Sequence, residues 1–233
     1  MNISDRRVLH TGHEQFIERL KKRGSSYYIR QGTECVEIVV DEINFFFKKE
    51  KRFPLSFLYL FGLVRKEAGE WTMGKTHIEL PTEYPSVKYN YDFNQGRSKI
   101  VGYDLNHAYW RIAKNLGIIR PSTFEKALKP EAKAIRLAAL STMGRSKVYE
   151  FYKGGELLDG KKHITKEDKL LMDAYKLIRL TCFKMMFDAS EILGDDFDCW
   201  KTDCIYFRDT EENRKSMSDF FVSNGLTYKL LEY

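Results

Sequence analysis

Apolar residues at Phe16, Ile17 and Leu20 follow Thr11-Gly-His-Glu14, whose spacing is that of a capping box, so a short amphipathic helix is predicted to end at Arg23-Gly24. Tyr27 to Val40 is rich in Tyr, Ile and Val around Gly32 and reads as a hairpin. The aromatic run from Glu42 to Val64 fits helix or strand and is broken at Pro54, with Lys48 to Arg52 as a basic loop. From Ala68 to Gly96, Gly, Pro, Asn and Thr predict turns and short strands.

After Gly96 the pattern sharpens. Lys99-Ile-Val-Gly-Tyr103 is an apolar strand that runs into Asp104, and a helix is predicted from Leu105 to about Leu116. Pro121 to Glu125 resembles a helix start, with Ser122 and Glu125 at capping-box spacing. Pro130 opens a second helix, predicted over Glu131 to about Tyr152, with Ala134, Leu137, Ala138, Ser141 and Val148 on one face. Gly154-Gly155 and Asp159-Gly160 mark the next loop. A long helix from Thr165 to about Leu193 carries an apolar stripe that includes Ala174, Ile178, Met185 and Ile192. Phe197 to Phe207 reads as two strands around Lys201-Thr202, with Asp203 at the turn. A helix over Asp209 to Ser223, a stop at Asn224-Gly225 and a final strand close the chain. This order predicts an α+β fold: an antiparallel sheet with helices on one face over residues 97–233, and a small mixed α/β region over 1–96.

Composition narrows the class. The 233 residues are 43% hydrophobic and 31% charged, as in ordinary globular proteins. No apolar run is long enough for a bilayer, and no apolar signal core follows the N-terminal charges. Cys35, Cys182, Cys199 and Cys204 form no CxxC, so a reduced, cytoplasmic protein is expected. His10 and His13 lack neighbouring ligands and read as surface histidines. The net charge of +6 is uneven: residues 1–96 carry 15 Lys and Arg against 13 Asp and Glu, residues 97–160 carry 12 against 6, and residues 161–233 carry 12 against 14. A basic segment beside an acidic one suits a polyanion meeting metal-binding carboxylates, or two differently charged solvent faces.

Two carboxylates stand out. Asp104 follows an apolar strand and Asp203 lies at the turn of an apolar hairpin. If those strands are neighbours, the carboxylates converge at one rim and form a platform for Mg²⁺. Turns also favour Asp for backbone reasons alone.

Asp104-Leu-Asn-His-Ala-Tyr109 resembles the first palm motif of family B DNA polymerases, in particular the protein-primed branch of phages and plasmids. Arg136 to Gly144 resembles the second motif, a finger helix that begins with a basic residue, and Trp200 to Phe207 resembles the third, a hairpin carrying an Asp. The resemblance covers roughly residues 97–230 and implies a palm with short fingers at about 113–150. It implies that Asp104 and Asp203, with the Leu105 carbonyl, hold two Mg²⁺ or Mn²⁺ ions. Tyr109, Arg136 and Asn106 would bind the incoming nucleotide, and Ser141, Gly144 and Lys201 would meet nucleic acid. The implied activity is addition of dNMP to a primer end by a two-metal mechanism, with primer–template DNA and dNTP as partners and no membrane.

Departures from the family pattern are as specific. Lys201 stands where the third motif has an acidic residue, placing a cation close to Asp203. Leu140 and Met143 replace the second motif's Asn and Tyr, and Trp110 replaces a Pro. No segment is left for a thumb or a proofreading domain, so a partner protein replacing the thumb is expected. These departures support an alternative, an inactive polymerase-like protein that binds nucleic acid or a replication or virion partner. A third reading is an unrelated α+β interaction protein.

Overall fold

The computed structural model describes residues 6–9, 12–31, 35–48, 59–94, 96, 99–144, 147–163 and 165–232. The fold is α+β, and the chain forms two compact units, each assembled from two stretches: 1–59 with 145–169, and 60–144 with 170–233. The division thus falls elsewhere than residue 96. Residues 60–96 belong to the unit that carries Asp104, and the segment after Gly144 leaves that unit and returns.

The first unit contains a six-stranded sheet and the helix α1 (His13–Lys22). Its strands are β1 (Arg6–Leu9), β2 (Ser26–Gln31), β3 (Cys35–Val40), β4 (Ile43–Lys48), β7 (Lys147–Lys153) and β8 (Glu156–His163), in the order β1-β4-β3-β2-β7-β8. Only the β1–β4 pair is parallel. Alternate residues Tyr27, Ile29, Val36, Ile38 and Phe47 make a core with Leu20 of α1, as the period of two requires. The predicted β2–β3 hairpin is present, and the ambiguous aromatic run resolves into both forms, strand β4 and helix α2 (Tyr59–Thr72). Helix α1 ends at Arg23 before Gly24 (φ 65°), while its N-cap is Gly12 without a side-chain bond; Thr11, His10 and Lys49 to Arg52 lie outside the described residues. His13 is half-buried, its ring centroid 6.5 Å from that of Phe47.

The second unit is a five-stranded antiparallel sheet, ordered β11-β6-β10-β9-β5, with strands β5 (Val87–Tyr89), β6 (Ile100–Leu105), β9 (Phe197–Lys201), β10 (Cys204–Arg208) and β11 (Tyr228–Glu232). One face is buried: Val101, Tyr103, Leu105, Trp200, Ile205 and Phe207 are almost free of solvent, each large side chain contributing about 1.5–3 kcal/mol. Helix α7 (Glu211–Ser223) covers part of it, the Tyr103 hydroxyl donating to Arg214 O at 3.1 Å. Gly102 faces the other side, where a Cβ would lie 2.8 Å from the Tyr206 ring. Helix α6 (Lys166–Leu193) is buried on several sides through Ala174, Ile178, Cys182, Phe183, Met186 and Ala189, whereas Ile192, expected in its stripe, is 51% exposed.

The predicted helix over 131–152 is not one helix. A 3₁₀ turn at Pro130–Ala132, α5 (Lys133–Ala139) and a second 3₁₀ turn at Leu140–Thr142 end at Gly144, after which β7 begins. Val148, Tyr149, Phe151 and Tyr152 prefer a pleated strand, and pairing with β2 overrides the helical spacing. Gly154-Gly155, both at positive φ, make the β7–β8 turn, and Asp159-Gly160 lies within β8 instead of in a loop.

Candidate functional site

Strand β6 is flanked by β10 and β11, with Asp104 opposite Cys204 on one side and Lys229 on the other. Backbone bonds pin the segment that follows: Leu105 N donates to Asp203 O at 2.9 Å and Asn106 N to Thr227 O at 2.8 Å. His107 then takes a left-handed conformation (φ 57°) and caps α3 (Ala108–Asn115). Asp203 occupies the two-residue β9–β10 turn. Its neighbour Thr202 has φ 60°, costly for a β-branched residue, and is held by its N–H to Ser86 O at 2.7 Å. The strands of the two aspartates are therefore adjacent, which meets the condition on which the sequence reading made the convergence of the carboxylates depend.

Asp104, Leu105, Asn106, Tyr109, Arg136, Ser141 and Asp203 line one cavity of about 310 Å³. Seven of the nine candidates, drawn from three separate stretches, thus converge. Two do not. Gly144 lies under the ring of Tyr175, where a Cβ would be 2.7 Å from Cδ1, and it shapes the cavity through that wall residue. Lys201 is exposed at the end of β9, its Nζ 5.8 Å from the Tyr89 ring centroid and 5.9 Å from that of Tyr206. Its charge acts on the Cys199 and Cys204 thiols, so the expected cation beside Asp203 is not what sets that carboxylate's environment.

The electrostatics are uneven across the cavity. Burial, and then the negative charge of Asp104, push the Asp203 carboxyl above its ordinary value. In the same lining Arg136 is 9% exposed and donates from Nη1 to Ala127 O at 2.8 Å. It lines the cavity and has no carboxylate partner among the described residues, so its charge is balanced by no neighbouring carboxylate there. Burial, followed by the Arg136 and Arg111 charges, lowers the His107 imidazole. Burial chiefly raises the Tyr109 phenol, with Cys182 and Asp203 adding to it.

Sequence reasoning missed Lys133, His107 and Tyr175, and counted Trp110 and Leu140 only as departures; all five line the cavity. Lys133 carried a signal, since a spacing of three from Arg136 puts both cations on one helical face. Trp110 is 4% exposed and donates from Nε1 to Arg136 O at 3.0 Å, which ties α3 to α5. Tyr175 had no signal of its own, because only its contact with Gly144 identifies it.

Among the described residues no group of three or more His, Cys, Asp or Glu comes together. The two aspartates nonetheless suit a hard cation. Mg²⁺ is commonly held by one or two carboxylates and completes its octahedron with water and substrate phosphates. The raised Asp203, repelled by Asp104, is a carboxylate pair that such an ion would neutralise. No helix among the described residues is long and apolar enough to cross a membrane. Comparison with protein-family models, with curated proteins and with solved structures found no match.

Proposed function

We propose that the chain is a minimal nucleotidyltransferase of the family-B polymerase type, which adds dNMP from a dNTP to a primer end. The observation that carries this reading is one cavity lined both by the Asp104 and Asp203 carboxylates and by an arginine that has no carboxylate partner among the described residues. A polyphosphate bound with a divalent cation satisfies both kinds of charge, the cation at the carboxylates and the phosphate oxygens at the arginine.

In the reaction, the primer 3′-hydroxyl oxygen forms a bond to the α-phosphorus. The bond from that phosphorus to the α,β-bridging oxygen breaks, pyrophosphate departs with the electron pair, and the hydroxyl proton passes to water. Asp104 and Asp203 would hold Mg²⁺ or Mn²⁺, with Leu105 beside them; the bound ions would polarise the phosphoryl oxygens and acidify the attacking hydroxyl. Arg136 and Lys133 bind the triphosphate, the forked guanidinium matching its oxygens. Tyr109 and Asn106, in the same lining, would bind the sugar. Ser141, also in the lining, would meet the nucleic acid.

The test is primer extension with Mg²⁺ or Mn²⁺, comparing the unchanged chain with Asp104→Ala and Asp203→Ala. Each substitution is expected to lower the rate by about a thousandfold, the scale on which transition-state charge stabilisation is lost. Unchanged rates in either variant would remove the reading.

A further inference from the structure

Helix α2 belongs to residues that show no chemical motif, yet it grips both ends of the wall that carries Lys133, Arg136 and Ser141. At the start of that wall, α4 (Pro121–Leu128) has Arg120 as N-cap and no side-chain cap of its own. Glu67 of α2 supplies one from a distance. Its Oε2 accepts the Arg120 N–H at 2.9 Å and its Oε1 accepts the Thr123 hydroxyl at 2.7 Å. Glu70, one turn on, accepts from Arg120 Nη2 at 2.6 Å. At the end of the wall, Arg65 Nη1 donates to Thr142 O at 2.8 Å. In addition, Trp71 Nε1 donates to Leu116 O, which ends α3, at 3.2 Å.

The charges match the ends they meet. A carboxylate stands at a helix N-terminus and a guanidinium at the C-terminal carbonyls of the α5 run, each the favourable sign for the backbone dipole. Arg65 and Glu67 are two positions apart, so they project about 200° from each other and reach the two ends from different sides of one helix. Accordingly α2 is buried along its length, through Leu60, Val64, Glu67, Ala68 and Thr72. Glu67 itself is 6% exposed with both oxygens bonded, and loss of that carboxylate leaves a part-buried N–H and a buried hydroxyl without acceptors.

We infer that α2 is a positioning strut, with Glu67 and Arg65 its positioning residues, and that it holds Lys133, Arg136 and Ser141 in place before substrate arrives. The inference rests on the nucleotide reading of the cavity for its consequence, though not for the strut itself.

Amide hydrogen exchange and dATP titration in Mg²⁺, both on the full chain, test it. Glu67→Gln is expected to speed exchange across 121–142 by about tenfold, the effect of losing a helix cap, while exchange in β6 and β10 stays as it was. The same variant is expected to weaken dATP binding by about ten- to hundredfold, because Arg136 is no longer held in register. Thr123→Val, which removes one of the two bonds, keeps the test open if Glu67→Gln does not fold, and moves both readouts in the same direction. Unchanged exchange in 121–142, exchange raised equally throughout the unit, or dATP affinity insensitive to the loosened wall would each overturn the inference. Failure of the unchanged chain to bind dATP counts against the nucleotide reading instead, and the exchange result still decides the strut.

Discussion

At the scale of single residues, the cavity depends on side chains too small or too strained to be interchangeable. Thr202 accepts a left-handed backbone that glycine would adopt freely, and its strain fixes the turn that presents Asp203. Gly144 is needed for a different reason. Its φ is ordinary, and what it supplies is the space into which Tyr175 packs. Gly144→Ala is therefore predicted to destabilise the chain by about 1–3 kcal/mol, as overpacking does. Tyr175→Leu removes the ring edge that the new methyl would meet, so the double variant should be more stable than the sum of the two single effects implies. Urea denaturation of the four proteins completes the cycle. Strict additivity would show that Gly144 is not there to seat Tyr175.

At the scale of elements, a short 3₁₀ turn joins three pieces of the second unit. Asp196, in the turn at Gly194–Asp196, accepts from Arg208 Nε of β10 at 2.6 Å and from Asn213 Nδ2 of α7 at 2.9 Å. The Asn213 hydrogen bond, then the Arg208 hydrogen bond and charge, hold its carboxyl below the ordinary value against the opposing effect of burial. A carboxylate lowered in the folded state adds stability above its unfolded value, and that stability fades as pH falls through the folded one. Asp196→Asn should thus cost roughly 1 kcal/mol or less at neutral pH, given a carboxylate about a third exposed, and almost nothing at about pH 2. Urea midpoints of both proteins at the two pH values measure this, and a deficit that persists in acid would refute the assignment.

The same elements show how far the sequence could be read. The strand–Asp pattern of β6, the β9–β10 hairpin and the long α6 were legible because their apolar spacing, caps and turn residues agree with one another. The α4–α5 wall was legible only as helix, since its boundaries are set by distant partners: Glu67 caps α4 from another helix, and the β2 edge captures residues 147–153 as strand. No local pattern encodes either contact. For the same reason α2 looked like an anonymous aromatic stretch, and Arg136 was readable as a cation while the Trp110 bond that positions it was not.

At the scale of the whole molecule, the unit carrying the site is interrupted by an insertion. The chain leaves it after Gly144, forms the hairpin β7–β8 on the edge of β2 in the other unit, and returns through α6. Charge follows this division in part. Residues 97–144 carry 9 Lys and Arg against 3 Asp and Glu, so the basic excess expected over 97–160 lies wholly before the hairpin, in the stretch that includes α3, α4 and α5. The hairpin can be removed with little geometric cost to the chain path, because Lys147 pairs with His163 and the two ends are neighbours. Replacing 147–163 by a short glycine linker strips β2 of β7, one of its two partners, and should expose that edge, making the first unit prone to association or proteolysis. Every residue lining the cavity lies within 104–203 outside the hairpin, and each belongs to the second unit. The shortened chain is therefore predicted to bind dATP with unchanged affinity while limited proteolysis cuts residues 1–59 faster than before. Loss of nucleotide affinity on removal of the hairpin, with the second unit still folded by amide exchange, would mean that the cavity is not self-sufficient.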